Sequence, residues 1–263
     1  MGYFQFAPDS KFPEFYETCQ KTGIRKYTPA QKREYASGYF LEEYKNQYNK
    51  TYYEDEPNLR RLAKNRLHTL SKFLKYPSGK TLLEVGASCG FFLDEARALG
   101  YSVSGIEPSP TEANYAKEVL HLDVVTSGFL EHAVPSKVDV LCMFFVLEHL
   151  SEMESVFAKI ETLVAPGGFL FLAVPSFFGP TFQTNPKEWF RTHPTDHFYD
   201  YSNQSLKKGL RLIGFETVYT KPMSYHQKRD LSFKKYFPAK LFQLYSDFFC
   251  YGDTIQILAK QKS

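Results

Sequence analysis

Short apolar runs alternate with amphipathic segments along most of the chain after residue 80. Their lengths and bounds predict seven strands, at 81–85, 103–106, 123–126, 138–144, 169–174, 215–221 and 254–259. Between these runs, apolar residues at helical spacing predict helices near 91–99, 110–119, 155–164, 203–212 and 238–249. Because strands separated by helices form βαβ units, we expect a doubly wound α/β fold whose sheet is mainly parallel.

The beginning of the chain has a different character. Residues 1–56 are aromatic and polar with little periodicity, and they contain 9 of the 19 tyrosines. Asp55-Glu56-Pro57 is typical of a helix start, and apolar residues between Leu59 and Leu74 follow at helical spacing. We therefore predict a helical, aromatic-rich N-terminal extension or lid over residues 1–56 and an α/β domain over residues 57–263.

Composition narrows the class of protein. With 43% hydrophobic and 23% charged residues, the 263-residue chain is typical of a globular protein with one sizeable core. A net charge of +3 without a dense basic run gives no indication of a nucleic-acid partner. Four scattered cysteines without a CxxC pair favour reduced thiols and a cytoplasmic location. We expect neither a secretory leader nor membrane insertion, and nothing in the sequence specifies an oligomeric state.

A glycine-containing loop is the most informative segment. The predicted strand at 81–85 runs into Gly86-Ala87-Ser88-Cys89-Gly90, and a helix follows at once. Glycine permits a tight turn and close approach of a ligand to the backbone. In an open parallel sheet, nucleotides bind beyond the carboxyl ends of the strands. Glu107 ends the next strand, where an acidic residue commonly accepts hydrogen bonds from ribose hydroxyls; otherwise it is a solvated strand end.

Three segments together resemble the class I S-adenosylmethionine-dependent methyltransferases. Glu84 to Gly90 is similar to their acidic-x-Gly-x-Gly-x-Gly motif, with Ser88 in place of the middle glycine. Val138 to Leu150 resembles the fourth strand and the "VLEH" turn of a subgroup that acts on small molecules, and Leu163 to Leu170 resembles the entry to the fifth strand. The resemblance implies a seven-stranded Rossmann-like sheet with an antiparallel last strand. It also implies methyl transfer from S-adenosyl-L-methionine to a small-molecule acceptor such as a sugar, a quinone or another metabolite.

The resemblance also implies roles for individual residues. The cofactor's methionine part, ribose and adenine would be bound by Glu84, Gly86, Ala87, Ser88, Gly90, Glu107, Pro108, Gly128, Phe129, Leu130, Met143, Phe144 and Phe145. Glu84 would orient the loop or the cofactor's amino group, Glu107 would accept the ribose hydroxyls, and Met143 to Phe145 would border the sulfonium.

The methyl acceptor is less well specified. The segment from Thr192 to Tyr201 concentrates titratable groups, and the near-neutral pKa of histidine suits His197 and His193 to removing a proton from an acceptor hydroxyl. Alternatively, these histidines only order the loop. We expect acceptor contacts from Tyr52, Tyr53, His149 and Tyr199. For the tyrosine-rich stretch 35–53 we expect one of three roles: a lid over the acceptor pocket, a dimer contact or ordinary packing on the domain. Some relatives hold a divalent metal with an acid and a histidine equivalent to Glu148-His149, but the spacing here does not demand a metal and we predict none.

Three other interpretations use the same residues. Gly86 to Gly90 also fits the G-x-S-x-G nucleophile elbow of hydrolases, but no strand series precedes Thr81 and the two carboxylates Glu84 and Glu107 are left without a role. An NAD-dependent oxidoreductase needs G-x-G-x-x-G, which Ser88 and Phe91 break. A non-catalytic protein that binds S-adenosylmethionine is the third alternative.

Overall fold

A computed structural model describes residues 2–32, 44 and 49–262, which form helices and two β-sheets. The strands are β1 (Phe6–Pro8), β2 (Tyr16–Cys19), β3 (Arg25–Tyr27), β4 (Thr81–Val85), β5 (Ser102–Glu107), β6 (Val124–Thr126), β7 (Val138–Phe144), β8 (Val164–Pro175), β9 (Tyr199–Asp200), β10 (Phe215–Pro222) and β11 (Thr254–Gln261). The helices are α1 (Glu56–Ser71), α2 (Phe91–Ala98), α3 (Pro110–Glu118), α4 (Met153–Leu163), α5 (Pro180–Thr184), α6 (Pro186–Arg191), α7 (Asn203–Leu212) and α8 (Ala239–Phe249). No helix in this described part of the chain is both long and apolar enough to cross a membrane.

The larger sheet has seven strands in the order β10-β11-β8-β7-β4-β5-β6, which confirms the predicted fold class. The chain divides into two compact units that interleave along the sequence. The parallel-sheet unit comprises Arg33–Met143 and Thr162–Gly168. The antiparallel-sheet unit comprises Met1–Lys32, Phe144–Glu161 and Phe169–Ser263.

In the parallel-sheet unit, β4 pairs in parallel with both β5 and β7, and β5 pairs in parallel with β6. The chain thus moves outward from β4 to β6 and then returns to the other side of β4. Such a reversal leaves a crevice beyond the carboxyl ends of β4 and β7. Buried side chains such as Leu82, Leu83, Ile106 and Val140 fill the interior, as expected for strands covered on both faces.

In the antiparallel-sheet unit, β11 pairs antiparallel with both β8 and β10, as predicted for the last strand. Strand β8 begins at Val164, earlier than predicted, because Pro166 and Gly167 interrupt the apolar pattern without ending the strand. The core side chains of β8, Phe171 and Leu172, are fully buried.

A second, four-stranded sheet in the same unit has the order β1-β2-β3-β9 and was not predicted. The expectation of a helical extension is therefore wrong for residues 6–27. A cluster of aromatic side chains covers this sheet, drawn from the N-terminal residues and from the connection after β8: Phe12, Phe15, Tyr16, Tyr27, Phe177, Phe182, Trp189 and Phe190. The connection at 175–201 contributes α5, α6 and β9. This shared core accounts for the aromatic residues Phe12, Phe15, Tyr16 and Tyr27 of the N-terminal part.

Candidate active site

The loop between β4 and α2 has an unusual backbone. Gly86 and Gly90 adopt left-handed conformations with φ of 72° and 82°, and Ser88 does so as well with φ of 48°. A residue with a side chain in this region costs about 1–2 kcal/mol relative to ordinary conformations. Ser88 thus takes a conformation that glycine would adopt without strain, and strain of this kind is concentrated at functional sites. Backbone bonds from Gly86 N (2.8 Å) and Ala87 N (3.2 Å) to Ile106 O tie the loop to β5.

Gly90 is required by packing as well as by conformation. A Cβ atom at this position would lie 2.5 Å from Cδ1 of Leu122 and 3.1 Å from Cβ of Ala116 in α3. The loop can therefore approach α3 this closely only if residue 90 has no side chain.

We expect Gly90→Ala to lower the free energy of unfolding by about 2–4 kcal/mol, because the left-handed backbone and the overpacking both cost energy. Gly79→Ala is the matched control, since Gly79 has φ of 77° but open space around its Cβ position. In the control, the free energy of unfolding should fall only by the cost of the left-handed backbone, about 1–2 kcal/mol. Urea unfolding of both variants measures the difference, and equal losses would show that the contact with Leu122 carries no cost.

Glu107, at the end of β5, is bound to the same loop. Its Oε2 accepts a hydrogen bond from Ser88 N at 2.8 Å, and its Oε1 accepts one from Ser109 N at 2.9 Å. Burial raises the pKa of this carboxyl to about 7, although the two backbone donors lower it. Each oxygen keeps a lone pair for a further donor, so the carboxylate is able to accept two ribose hydroxyls.

Glu84 is a second buried carboxylate, located in β4. Burial raises its pKa well above the usual value, the nearby Arg66 guanidinium opposes this shift, and Glu107 adds to it. Its Oε2 has no hydrogen-bond partner among the described residues. A buried carboxylate oxygen without a donor is costly, and a bound ammonium group would satisfy it. Sequence reasoning missed Arg66, because a basic residue in α1 next to other charged residues carries no signal of burial.

Tyr52 and Tyr53 lie beside the loop. The Tyr52 ring stacks on Phe91, the first residue of α2, with centroids 5.7 Å apart. The centroid of the Tyr53 ring lies 4.9 Å from that of Tyr115, and burial raises the pKa of Tyr53 to about 12. Of the stretch 35–53 predicted as a lid, only residue 44 and residues 49–53 are among the described residues.

The other predicted cofactor residues differ in exposure. Phe129 and Met143 are buried, whereas Gly128, Leu130, Pro108 and Phe144 are half-buried. Phe144 lies edge-on to Phe171 with centroids 5.4 Å apart. Phe145 is 40% exposed and has a left-handed backbone with φ of 59°. A bulky aromatic residue in this conformation is rare, and such backbone strain is concentrated at functional sites.

His197, in the antiparallel-sheet unit, lies beside His149, and the two rings meet edge to face with centroids 4.6 Å apart. Burial lowers the pKa of His149, but the carboxylates of Asp196 and Glu148 together raise it by more, so the net shift is upward. Oδ2 of Asp196 lies 3.3 Å from Nδ1 of His149. Burial and the charge of His149 lower the pKa of His197 to about 3, below the near-neutral value expected from sequence. Among the described residues, neither ring nitrogen of His197 has a hydrogen-bond partner. The ring is therefore a neutral imidazole with both nitrogens available.

His193 has the opposite arrangement. Its Nδ1 lies 2.9 Å from Pro194 O and its Nε2 lies 2.8 Å from Oδ2 of Asp200. The ring also stacks on Tyr27 with centroids 3.8 Å apart. Asp200 accepts a second hydrogen bond from the Tyr16 hydroxyl. Both nitrogens of His193 are thus occupied, and its predicted role as a base stays a prediction.

Two groups of possible metal ligands occur here, although the sequence predicts no metal. The ligand atoms of Glu148, His149 and His197 all lie within 4.8 Å of one another, and so do those of His193, His197 and Asp200. In the first group, both carboxylate oxygens of the buried Glu148 lack a hydrogen-bond partner among the described residues, and burial raises its pKa to about 7. One carboxylate with two imidazoles is a donor set that suits a divalent transition metal.

Tyr199 is buried, and its hydroxyl donates a hydrogen bond to Ser151 O at 2.9 Å. Its predicted contact with the acceptor stays a prediction.

The sheet is doubly wound, a glycine loop follows one of its strands, and a buried carboxylate ends the next strand. These features are typical of proteins that bind a nucleotide-type cofactor where the strand order reverses. A family model described as a methyltransferase domain matches residues 54–220, more than half of the chain. The protein belongs to this methyltransferase family.

Curated relatives match over part of their length. A mitochondrial ubiquinone biosynthesis O-methyltransferase from Schizosaccharomyces pombe is 31% identical over 107 residues, which cover 38% of this chain and 39% of the relative. A ubiquinone biosynthesis O-methyltransferase from Pseudomonas paraeruginosa is 31% identical over 121 residues, covering 43% and 48% respectively. The alignments thus span less than half the length of these relatives.

Solved structures share the fold at low sequence identity. Magnesium protoporphyrin IX methyltransferase from Synechocystis PCC 6803, with bound S-adenosylhomocysteine, has a TM-score of 0.58 and 15% identity, covering 88% of this chain and 97% of that one. Phosphoethanolamine N-methyltransferase 2 from Haemonchus contortus has a TM-score of 0.57 and 16% identity, covering 76% and 53%. Both structures share the fold of this chain, which belongs by its family to the methyltransferases. The hydrolase and dehydrogenase interpretations of the glycine loop are wrong.

Proposed function

We propose that the enzyme methylates a hydroxyl oxygen of a small-molecule acceptor in a single displacement, with His197 as the general base. Bound S-adenosyl-L-methionine supplies a methyl group on a sulfonium, which is an excellent leaving group. The protein then has two tasks: to position the reactants and to remove the acceptor's proton. The observation that carries the proposal is geometric: neither ring nitrogen of His197 has a hydrogen-bond partner among the described residues, so one of them is free to accept a proton.

The cofactor roles of the glycine-loop residues rest on their polar groups. Glu107 has lone pairs for both ribose hydroxyls, and the unpaired Oε2 of Glu84 suits the cofactor's ammonium group. The strained backbone at Ser88 holds its N–H toward Glu107, so the loop and the carboxylate are positioned together. We retain the adenine and sulfonium contacts predicted for Phe129, Leu130 and Met143 to Phe145. The ring contacts of Tyr52 and Tyr53 favour positions for both tyrosines beside the glycine loop.

The acceptor role of His197 follows from its electrostatic surroundings. A hydroxyl must lose its proton when its oxygen gains a methyl group, and a neutral imidazole is able to take that proton at a ring nitrogen. Burial and the charge of His149 keep His197 neutral and make it a weaker base than a free imidazole, whereas the carboxylates of Asp200 and Asp196 act in the opposite direction and favour the imidazolium. A neutral amine differs from a hydroxyl in that its nitrogen keeps its protons during the methyl-transfer step. The ubiquinone relatives, whose names specify O-methylation, also favour an oxygen acceptor.

The experiment is an acceptor panel, with release of S-adenosylhomocysteine measured for phenols, catechols, sugar alcohols and primary amines of similar size. We expect turnover with hydroxyl acceptors, and mass spectrometry should locate the added methyl on oxygen. Turnover confined to amines would contradict the proposal.

A metal control belongs to the same experiment, because Glu148, His149 and His197 are close enough to bind one cation. Activity that survives dialysis against EDTA supports a histidine base. If activity is lost with EDTA and restored by Mg²⁺ or Zn²⁺, the acceptor is activated by a cation held by these three residues and not by a histidine base.

A further inference from the structure

Residues 227–249, here called the aromatic-basic segment, expose an unusual amount of apolar surface. Fourteen large hydrophobic residues are exposed in the described chain, and half of them lie in this segment: Leu231, Phe233, Tyr236, Leu241, Leu244, Phe248 and Phe249. Phe248 is 83% exposed and Tyr236 is 78% exposed. Single exposed apolar residues are ordinary, but such a concentration in one segment indicates an interaction surface.

Helix α8 has two apolar faces. Phe242 and Ser246, one turn apart, are buried against the rest of the unit. Leu241, Leu244 and Phe248, at i, i+3 and i+7, form a separate stripe that faces solvent. The first face explains why the helix is held to the protein, and the second has no partner within the described chain.

The exposed surface is ordered and continuous. Ring contacts link the 3₁₀ turn Phe233–Tyr236 to α8, from Phe233 to Phe237 (5.7 Å), from Phe237 to Tyr245 (6.4 Å) and from Tyr245 to Phe249 (4.8 Å). Gln227 Nε2 donates to the carbonyl of Phe237 at 2.7 Å. The surface therefore exists before any partner binds.

The exposed charges around this surface have one sign. Lys228, Lys235 and Lys240 are exposed and form no ion pair with a described residue. The two acidic residues of the segment are already engaged: Asp230 is buried and accepts from the Tyr251 hydroxyl, and Asp247 accepts from the Tyr225 hydroxyl. The segment thus combines exposed apolar side chains with exposed positive charges that have no acidic partner among the described residues.

We propose that the aromatic-basic segment binds an anionic lipid surface, with α8 lying in the plane of the interface. Apolar side chains on one face of a surface helix, flanked by lysines, are the features that bind such membranes. The lysine stems are able to reach anionic headgroups while Leu244 and Phe248 enter the acyl boundary. A second copy of the chain is a poor occupant, because a symmetric contact would place like charges against each other. The proposal does not depend on the identity of the methyl acceptor.

The test is co-sedimentation of the full chain with phosphatidylglycerol–phosphatidylcholine vesicles and with pure phosphatidylcholine vesicles. We expect binding to the anionic vesicles only, and we expect it to weaken when salt is raised from about 0.1 M to about 1 M. The double variants Leu244→Ser/Phe248→Ser and Lys235→Glu/Lys240→Glu should each reduce the bound fraction about tenfold or more.

Tyr76→Ser is the matched control, because Tyr76 is 82% exposed but lies outside the segment, and it should bind vesicles like the parent. Unchanged binding of S-adenosylhomocysteine shows that each variant is folded. The proposal is overturned if the parent does not bind anionic vesicles, if Tyr76→Ser loses binding to the same extent, or if light scattering shows a dimer that Phe248→Ser dissociates.

Discussion

Replacing His197 with alanine is expected to lower kcat about 10²-fold or more, because positioned general bases contribute on this scale. The affinity for S-adenosylhomocysteine should stay close to that of the parent, since the ring contacts described for His197 are with His149 and His193, neither of which is a predicted cofactor residue. Steady-state kinetics with a hydroxyl acceptor and calorimetric titration with S-adenosylhomocysteine measure the two quantities. His68→Ala, at an exposed position in α1, is the control for the loss of a histidine as such.

The acidity of the acceptor separates a base from a structural residue. If His197 removes the proton, its loss should matter least for acceptors that are already ionised, such as phenols with strongly electron-withdrawing substituents. A structural defect would lower the turnover of all acceptors equally. His193→Ala should behave in the second way, because the buried Asp200 carboxylate would lose a partner. Full activity in both single variants and in the double variant would remove any acid–base role from this loop.

The two histidines show what sequence was able to predict and what it was not. Both stand in one polar loop four residues apart, and their residue type gives them the same intrinsic chemistry. Only the fold distinguishes them. Asp200, placed by β9, occupies one nitrogen of His193, while the His149 ring lies beside His197 without bonding to it.

The parallel strands were predictable because each one carries its own signal. Strands β4 and β7 are continuous apolar runs bounded by turn residues, and such runs are buried whatever their neighbours are. Strands β1 to β3 carry no such signal, because they have three or four residues each and take their apolar cover from residues more than 140 positions away. The pairing of Arg25 with Asp200 joins two segments that no local pattern relates.

On the cofactor side of the site, the sequence motif was predictable, but the hydrogen bonds that connect its residues were not. The loop and Glu107 were identified from their spacing, whereas the bonds from Ser88 N and Ser109 N to Glu107 depend on the fold. Arg66 was missed because its neighbours in α1, Arg60, Arg61 and Lys64, are typical of a solvated helix face. The electrostatic influence of Arg66 on Glu84 appears only when α1 is placed against the sheet.

Glu107→Ala should weaken the binding of S-adenosylhomocysteine by about 1.5–3 kcal/mol, the usual contribution of hydrogen bonds to a charged acceptor. That loss corresponds to about a 10- to 150-fold increase in Kd. The fold should persist, because removing a buried carboxylate also removes its desolvation cost. Calorimetry measures Kd, and thermal unfolding of the unliganded variant checks the fold. An unchanged Kd in a folded variant would place the ribose elsewhere.

The pKa of Glu107 adds a dependence on pH that a structural role would not produce. In the free enzyme this carboxyl has a pKa raised by burial to about 7, and only its ionised form accepts both ribose hydroxyls. Below that pH, binding must first release a proton, so the affinity for S-adenosylhomocysteine should fall as the pH drops from about 8 to about 6, approaching tenfold per pH unit at the acid end. Glu107→Gln keeps the shape of the side chain but does not titrate, so its Kd should be higher than that of the parent at pH 8 and should lack this slope. The same scan on Glu107→Gln also corrects for ionisation of the ligand's own amino group. Identical slopes in the two proteins would mean that Glu107 does not meet the ribose in its ionised form.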